Sequence, residues 1–533
     1  MRYARWSHAV LALVVAPLFF AFAWQSTVAS VGDDSMSYLV VARWFDGSID
    51  ATLTPWLPWH THFPPLFPMA LALVGGGRDL LAAHLVVAAF AVLSVFLIAR
   101  YAARRLESDW GGFWVAVAFL ALPTAWLSAK GILSETLYLA LTLGALLAHD
   151  RWIARGEARR GGYVAFATLL ALAYSTRAAG VTLVAAYVVH EGVNAVRTRR
   201  LAPAAWIPLV AVAACAVAWP LLRPGGNTYE ATIRQVMKIW IERPSVALEF
   251  TLQTFPAGWV SSFFAEGEVA TAMRMSALVI GVMALAGSIR AALANRLDGW
   301  YVLFTVVLVF AWVFGVENMR RLLYPVLPLA LLHAAQLVAL LVRRARLRHA
   351  HLAIAGICAA PLAASLPATL LIADKARDRG AFVEGSRYTA ADITDYYRVM
   401  NLPYARMFAA KHAATLGGLE ALRTATPPGA RVMWMRPEYV AILGGREGVP
   451  MYYAWDARTF ATHVRDDRVD FIAVAGMWKN DLAMSPGDPT APLRYAATYA
   501  RPVLQLGNPF SLQEDFILLQ VDRAALDAYL ARP

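Results

Sequence analysis

The sequence runs to 533 residues, 59% of them hydrophobic and only 16% charged, with a formal net charge of +12. A soluble globular chain carries about 25% charged residues, so this composition excludes an ordinary soluble enzyme. It also argues against a nucleic-acid partner, because the basic residues gather at the ends of apolar stretches instead of forming one patch.

Apolar stretches of roughly 17–25 residues recur along positions 1–372, each long enough to cross ~30 Å of hydrocarbon. In lipid every backbone polar group must be satisfied internally, which leaves helices or a closed barrel. The alternating ten-residue segments of a barrel are absent. The first run, from about Ala9 to Trp24, follows Arg2 and Arg5. Val28-Ala29-Ser30 resembles a signal-peptide cleavage site, but the run is long and ten more follow, so it is read as the first of about eleven spans. Arginines then mark every second connection: Arg104 and Arg105, Arg151 to Arg160, Arg197 to Arg200, Arg290 and Arg296, and Arg343 to Arg348. Those connections are expected in the cytoplasm. The alternate ones (31–79, the turn at Lys130, the break near Arg177, the loop 223–274 and the turn Glu317 to Arg321) are expected outside. This topology describes a multi-pass protein of a bacterial inner membrane, N-terminus inside.

Beyond Ile372 the chain changes character, with Arg387, Asp392, Asp395, Lys411 and Glu420 and no spanning run. Pro427-Pro428-Gly429 is a turn. Strands are expected at 431–435, 439–443, 471–474 and 517–521, with a helix at 457–464. The expected division is therefore a transmembrane module, 1–372, carrying the outer loops 31–79 and 223–274, and a small extracytoplasmic α/β domain, 373–533.

Ionisable groups within membrane segments are expensive and point to function. Four places stand out. Gly32-Asp33-Asp34-Ser35 and Tyr38 follow the first span, and their loop closes with His60, His62 and Phe63-Pro64-Pro65-Leu66-Phe67-Pro68. Glu135 begins the fourth span, and Ser175-Thr176-Arg177 ends the fifth. Glu317, Asn318, Arg320, Arg321 and Tyr324 lie between the ninth and tenth. The charge pattern puts all four at one face, where carboxylates beside arginines suit an anionic headgroup and a proton removed nearby. Blander roles are open to each: Asp33 and Asp34 as helix-capping or solvated residues, Glu135 as a partner of Lys130 or Arg177, and Arg320 and Arg321 as interfacial anchors. No nucleotide-binding loop, dinucleotide glycine pattern or serine nucleophile elbow occurs.

The strings GDDSMSYLVVARWFDG and HFPPLFPMALAL resemble the first outer loop of GT-C glycosyltransferases of the dolichyl-phosphate-mannose-protein mannosyltransferase and aminoarabinose-transferase type. LSETLYLALTLGALLA, LAYSTRAAGVTLVAA and RRLLYPVLPLALL are similar to later segments of that family, in order, over roughly residues 1–340. The resemblance implies transfer of a sugar from a polyprenyl-phosphate donor to an acceptor hydroxyl, typically with inversion. It implies a loop aspartate as general base: Asp34, four residues before Tyr38, with Asp33 as alternative or partner. Adjacent carboxylates repel, which raises the pKa of one toward base work. The lipid phosphate leaving group needs positive charge, for which Arg177, Arg320 and Arg321 are candidates, with His62, Glu135, Tyr38 and Tyr324 completing the site. Phe63 stands where the aminoarabinose transferases carry a lysine before Pro-Pro. The acceptor is left open between a lipid, a polysaccharide and a protein; no metal site is assigned, and a divalent cation is left open as a cofactor. Competing readings are a transporter or flippase of lipid-linked sugars, whose site would lie at the bilayer midplane between repeated halves, and a polysaccharide polymerase or ligase.

Overall fold

A computed structural model describes residues 2–24, 34–153, 160–200, 202–225, 229–264, 271–312, 315–345, 350–378, 386–393, 396–397, 402–451, 456–475, 491–507 and 514–532. The helices in chain order are α1 (Arg2–Ala23), α2 (Ser35–Phe45), α3 (Leu57–His60), α4 (Leu66–Leu73), α5 (Leu80–Leu106), α6 (Asp109–Leu120), α7 (Pro123–Lys130), α8 (Glu135–Trp152), α9 (Arg160–Tyr174), α10 (Val181–Thr198), α11 (Trp206–Leu222) and α12 (Tyr229–Glu242). They continue with α13 (Pro244–Phe263), α14 (Thr271–Leu293), α15 (Leu297–Ala311), α16 (Val316–Leu323), α17 (Leu327–Arg344), α18 (Ala350–Lys375), α19 (Leu402–Ala425), α20 (Pro437–Gly444), α21 (Ala457–Asp466), α22 (Ala491–Ala496) and α23 (Arg523–Leu530). The strands are β1 (Arg431–Trp434), β2 (Glu447–Pro450), β3 (Phe471–Ala475), β4 (Ala500–Gly507) and β5 (Glu514–Val521). The chain divides into two compact units: residues 1–24, 61–75 and 81–373 form one, and residues 25–60, 76–80 and 374–533 the other.

The first unit is a helical membrane bundle. Leu13, Leu221, Val282 and Val307 stand exposed on its helices, a surface suited to lipid and not to water. Among the described residues six helical segments are long and apolar enough to cross a membrane, including Trp6–Ala23, Leu80–Leu106 and Asn318–Arg344. A seventh span results if α6 and α7, bent by 65° where Pro123 opens α7, are counted as one. This count, by length and composition among the described residues, does not confirm the eleven expected from sequence. Glu135, Asp150 and Arg151 dilute α8, while the apolar stretches Gly161–Tyr174 and Leu297–Ala311 are too short to span alone. Small residues set the helix spacing: a Cβ on Gly287 of α14 would meet the His333 carbonyl oxygen of α17 at 2.3 Å, so only glycine permits that approach.

The second unit contains a five-stranded sheet in the order β2-β1-β3-β5-β4. β1 runs parallel to β2 and β3, whereas β5 is antiparallel to β3 and β4. Parallel neighbours need crossovers, which α20 and α21 supply. The segment 439–443 is therefore helix and not the expected strand: Pro437 sits at the first helical position and Gly445, at φ +59°, ends the helix in the left-handed region. α19 and α20 cap each other. Arg446 Nη2 donates to the Arg423 and Thr426 carbonyls at 2.8 and 2.7 Å, and Arg423 Nε to the Leu443 carbonyl at 2.6 Å. These bonds satisfy last-turn carbonyls that a helix leaves open. The same unit holds α2, which packs on α3 and α20.

Candidate functional site

Glu135 is the first residue of α8, just after Ser134, where the helix N-terminus favours a carboxylate. It is fully buried. Two arginines from distant segments reach it: Arg177 Nη1 lies 2.7 Å from Oε1, and Arg321 Nε donates to the same oxygen at 2.9 Å. Glu135 Oε2 has no hydrogen-bond partner among the described residues. Arg177 is presented by an extended residue (φ −147°, ψ 144°) between α9 and the 3₁₀ turn Ala178–Gly180. Gly180 lets that turn lie on Tyr174, since a Cβ would come within 2.7 Å of the Tyr174 Cα. Arg321 comes from the short helix α16.

The cluster thus sets two guanidinium groups over one carboxylate. Such a pair is pre-oriented by Glu135, and paired guanidinium groups are suited to a phosphate. Arg320 is buried beside it in the chain, and Tyr324 is buried with its ring 5.7 Å from that of Phe119. Leu66 of the Pro-Pro segment donates its backbone N–H to the Ser175 carbonyl at 2.9 Å, tying that segment to the turn that carries Arg177. His62 lies against the Phe63 ring at 4.0 Å. Thr61 Oγ1 donates to the Gly225 carbonyl at 2.8 Å, and Arg223 Nη1 to the Thr61 carbonyl at 3.4 Å. Sequence reasoning missed Arg223; its place directly after α11 and before Pro224-Gly225 was the available clue. Lys130 does not reach Glu135: its Nζ donates to the Phe22 carbonyl at 2.8 Å and sits 4.7 Å from the centre of that ring.

Asp34 and Tyr38 belong to the other unit. Asp34 occupies the cap position before α2 but makes no side-chain cap bond; its carbonyl accepts the Tyr38 N–H at 3.1 Å. Tyr38 is buried, and His60 Nδ1 is 2.9 Å from Ser37 Oγ, fixing α3 to α2. Arg43 Nε donates to the Gly77 carbonyl at 2.7 Å and closes the far side of the loop. Asp33 lies outside the described residues, as does the side chain of Glu317.

At the opposite end of α8, about 21 Å from Glu135 at 1.5 Å rise per residue, His149, His190 and Glu191 place potential metal ligands within 4.8 Å of one another. The hydrogen bonds count against a metal there. His190 Nδ1 donates to the Asn295 carbonyl at 2.8 Å, and Nε2 accepts from Asn194 Nδ2 at 3.0 Å. Asn194 cannot be turned round, because its Oδ1 accepts from Asn295 at 2.7 Å. Both ring nitrogens of His190 are occupied.

No protein-family description and no curated protein matches the sequence. Solved structures do. ArnT from Cupriavidus metallidurans bound to undecaprenyl phosphate aligns over 98% of this chain and 99% of its own, with a TM-score of 0.50 at 15% identity. The apo state of that protein gives 0.49 over the same shares, also at 15% identity. The oligosaccharyltransferase AglB from Archaeoglobus fulgidus, in complex with an inhibitory peptide and a dolichol-phosphate, gives 0.49 at 13% identity, over 95% of this chain and 74% of its own. The chain shares its fold with the ArnT structure bound to undecaprenyl phosphate.

Proposed function

We propose that the protein is a membrane glycosyltransferase that moves a sugar from a polyprenyl-phosphate donor to an acceptor hydroxyl. The observation that carries this reading is the pair Arg177 and Arg321 held by one buried carboxylate. The fold shared with ArnT supports it, as does the undecaprenyl phosphate on that protein. In the proposed reaction the acceptor oxygen bonds to the anomeric carbon while the bond from that carbon to the phosphate oxygen breaks. The electron pair leaves with the lipid phosphate, whose growing charge the two guanidinium groups stabilise. Asp34 takes the acceptor proton, a role supported by the resemblance of its loop, four residues before Tyr38, to the family's aspartate-bearing loop. Attack from the face opposite the phosphate inverts the anomeric configuration.

In this reading the site lies at the outer face of a bacterial inner membrane, with the N-terminus in the cytoplasm and the sheet unit outside. The arginine-rich alternate connections support that orientation. The acceptor is a lipid, a polysaccharide or a protein, and the sheet unit bearing α2 is the natural place for its selection.

The test uses purified protein, a panel of polyprenyl-phosphate sugars and a mixture of envelope acceptors, following free polyprenyl phosphate. Wild type releases it from at least one donor, and Asp34→Asn lowers the rate by about 10²–10⁴-fold, the usual worth of a general base, at unchanged expression and folding. Full activity of Asp34→Asn together with loss in Asp33→Asn would move the base by one residue. No release from any donor by folded protein would leave a carrier of lipid-linked sugars as the better reading.

A further inference from the structure

A second basic feature lies at the other end of the bundle. A cavity of about 500 Å³ opens between α5, α6, α8 and α9, with Arg100, Arg104 and Arg151 at its mouth and Asp109 as the one acid among the described residues lining it. Arg104 is partly committed, its Nη2 donating to the Asp150 carbonyl at 2.6 Å. Arg100 and Arg151 are exposed and form no ion pair among the described residues. Arg151 lies 5.7 Å from the ring centre of Trp152, an aromatic of the kind that settles at the headgroup level of a bilayer.

The inner part of the cavity is apolar. Leu97 and Gly144 line it, each seven residues before an arginine of the mouth and so about 10 Å deeper along its helix. A Cβ on Gly144 would meet Leu169 at 3.6 Å, an ordinary contact, so a longer side chain there would reach into the groove. A cationic mouth, an interfacial tryptophan and a half-buried apolar groove along the helices together match an amphiphile whose head is an anion. A free phosphate or a nucleotide would leave the groove unfilled.

We propose that this pocket binds an anionic phospholipid, its phosphate on Arg100, Arg104 and Arg151 and the start of an acyl chain along Gly144. Arginine supplies the forked contact that phosphate accepts, and basic pockets between membrane helices are suited to such headgroups. The lipid belongs to the leaflet on the arginine-rich side, which is cytoplasmic by the positive-inside rule. The proposal is independent of the sugar-transfer reading.

The experiment is native mass spectrometry of the full chain in detergent, titrated with phosphatidylglycerol or with phosphatidylcholine of the same acyl chains, alongside thermal unfolding. Wild type should retain phosphatidylglycerol about tenfold more tightly than phosphatidylcholine, given attraction from several basic side chains. Arg100→Gln/Arg151→Gln should remove that preference. Gly144→Leu, which fills the groove without changing charge and favours helix, should weaken retention of phosphatidylglycerol while the unfolding temperature in pure detergent holds. Equal retention of the two lipids by wild type would overturn the proposal, as would retention unchanged in both variants. Inorganic phosphate stabilising the protein as well as phosphatidylglycerol does would equally exclude the lipid.

Discussion

Two carboxylates of the membrane unit, Glu135 and Asp298, have no exposure at all, and their surroundings differ. Asp298 accepts from Arg296 through both oxygens, at 3.1 and 2.5 Å, from the Gly299 N–H at 3.0 Å, and from His333 Nε2 at 3.1 Å. Arg105 approaches it at 3.5 Å but is shared with Asp150 at 2.9 Å and with the Tyr101 hydroxyl at 3.0 Å. Arg296 is further held by Gln336, and His333 by Ser288. Two arginines thus face two aspartates, with every oxygen of Asp298 engaged. Around Glu135 two arginines face one carboxylate, one of whose oxygens has no hydrogen-bond partner among the described residues. Buried charge is costly unless paired. Where arginines and aspartates match in number the cluster is a fastening between helices; where two arginines meet one carboxylate among the described residues, the arrangement is suited to an anion brought from outside.

The comparison predicts that substitutions at Asp298 register as lost stability and those at the Glu135 cluster as lost donor binding. The largest effect is expected from Asp298→Asn, which leaves Arg296 and Arg105 short of one charge in the interior. Removing one partner of a buried pair costs about 3–5 kcal/mol, readable as a lower unfolding temperature, while the transfer rate per folded molecule holds. A loss of activity without a loss of stability would reverse the assignment of the two sites. Next comes Arg177→Ala. Glu135 keeps Arg321, so the fold loses little, but affinity for polyprenyl phosphate should fall by about 10–100-fold, the worth of a hydrogen bond to a charged group. Unchanged affinity, measured by titrating the lipid phosphate against purified protein, would return Arg177 to a structural role.

Much of this was legible before the fold was known, for physical reasons that vary by region. Glu135, Arg177 and Arg321 interrupt apolar stretches, and an interruption that expensive stands out in a single sequence. Asp298 and Asp150 were passed over because each sits beside arginines at a helix end, which is also how an ordinary solvated connection reads. Their burial depends on α5, α8, α15 and α17 meeting, a contact that no local pattern records. In the sheet unit the buried strand β3 is plain from Phe471-Ile472-Ala473-Val474, whereas the five apolar residues 439–443 carry no period and read as strand as readily as helix. β4 went unseen: it lies at the sheet edge, mostly exposed, and contains Pro502, features tolerated in edge strands. β2 is four residues with a glycine and a proline, too short and too broken to announce itself.

The smallest predicted effect is the most discriminating. Arg321→Lys keeps the positive charge and the reach to Glu135 but replaces a planar fork with a single ammonium. If excess charge is what the Glu135 cluster offers, affinity for polyprenyl phosphate should drop only about threefold. The unfolding temperature should barely move, because lysine keeps a positive charge within reach of the buried Glu135. Arg177→Ala measured beside it sets the scale. A loss for Arg321→Lys as large as that of Arg177→Ala would mean that forked geometry, and not the count of charges, separates the two buried carboxylates. The contrast with Asp298 would then rest on which arginine nitrogens each oxygen meets, and the double substitution Arg177→Lys/Arg321→Lys would abolish donor binding while preserving every formal charge in the cluster.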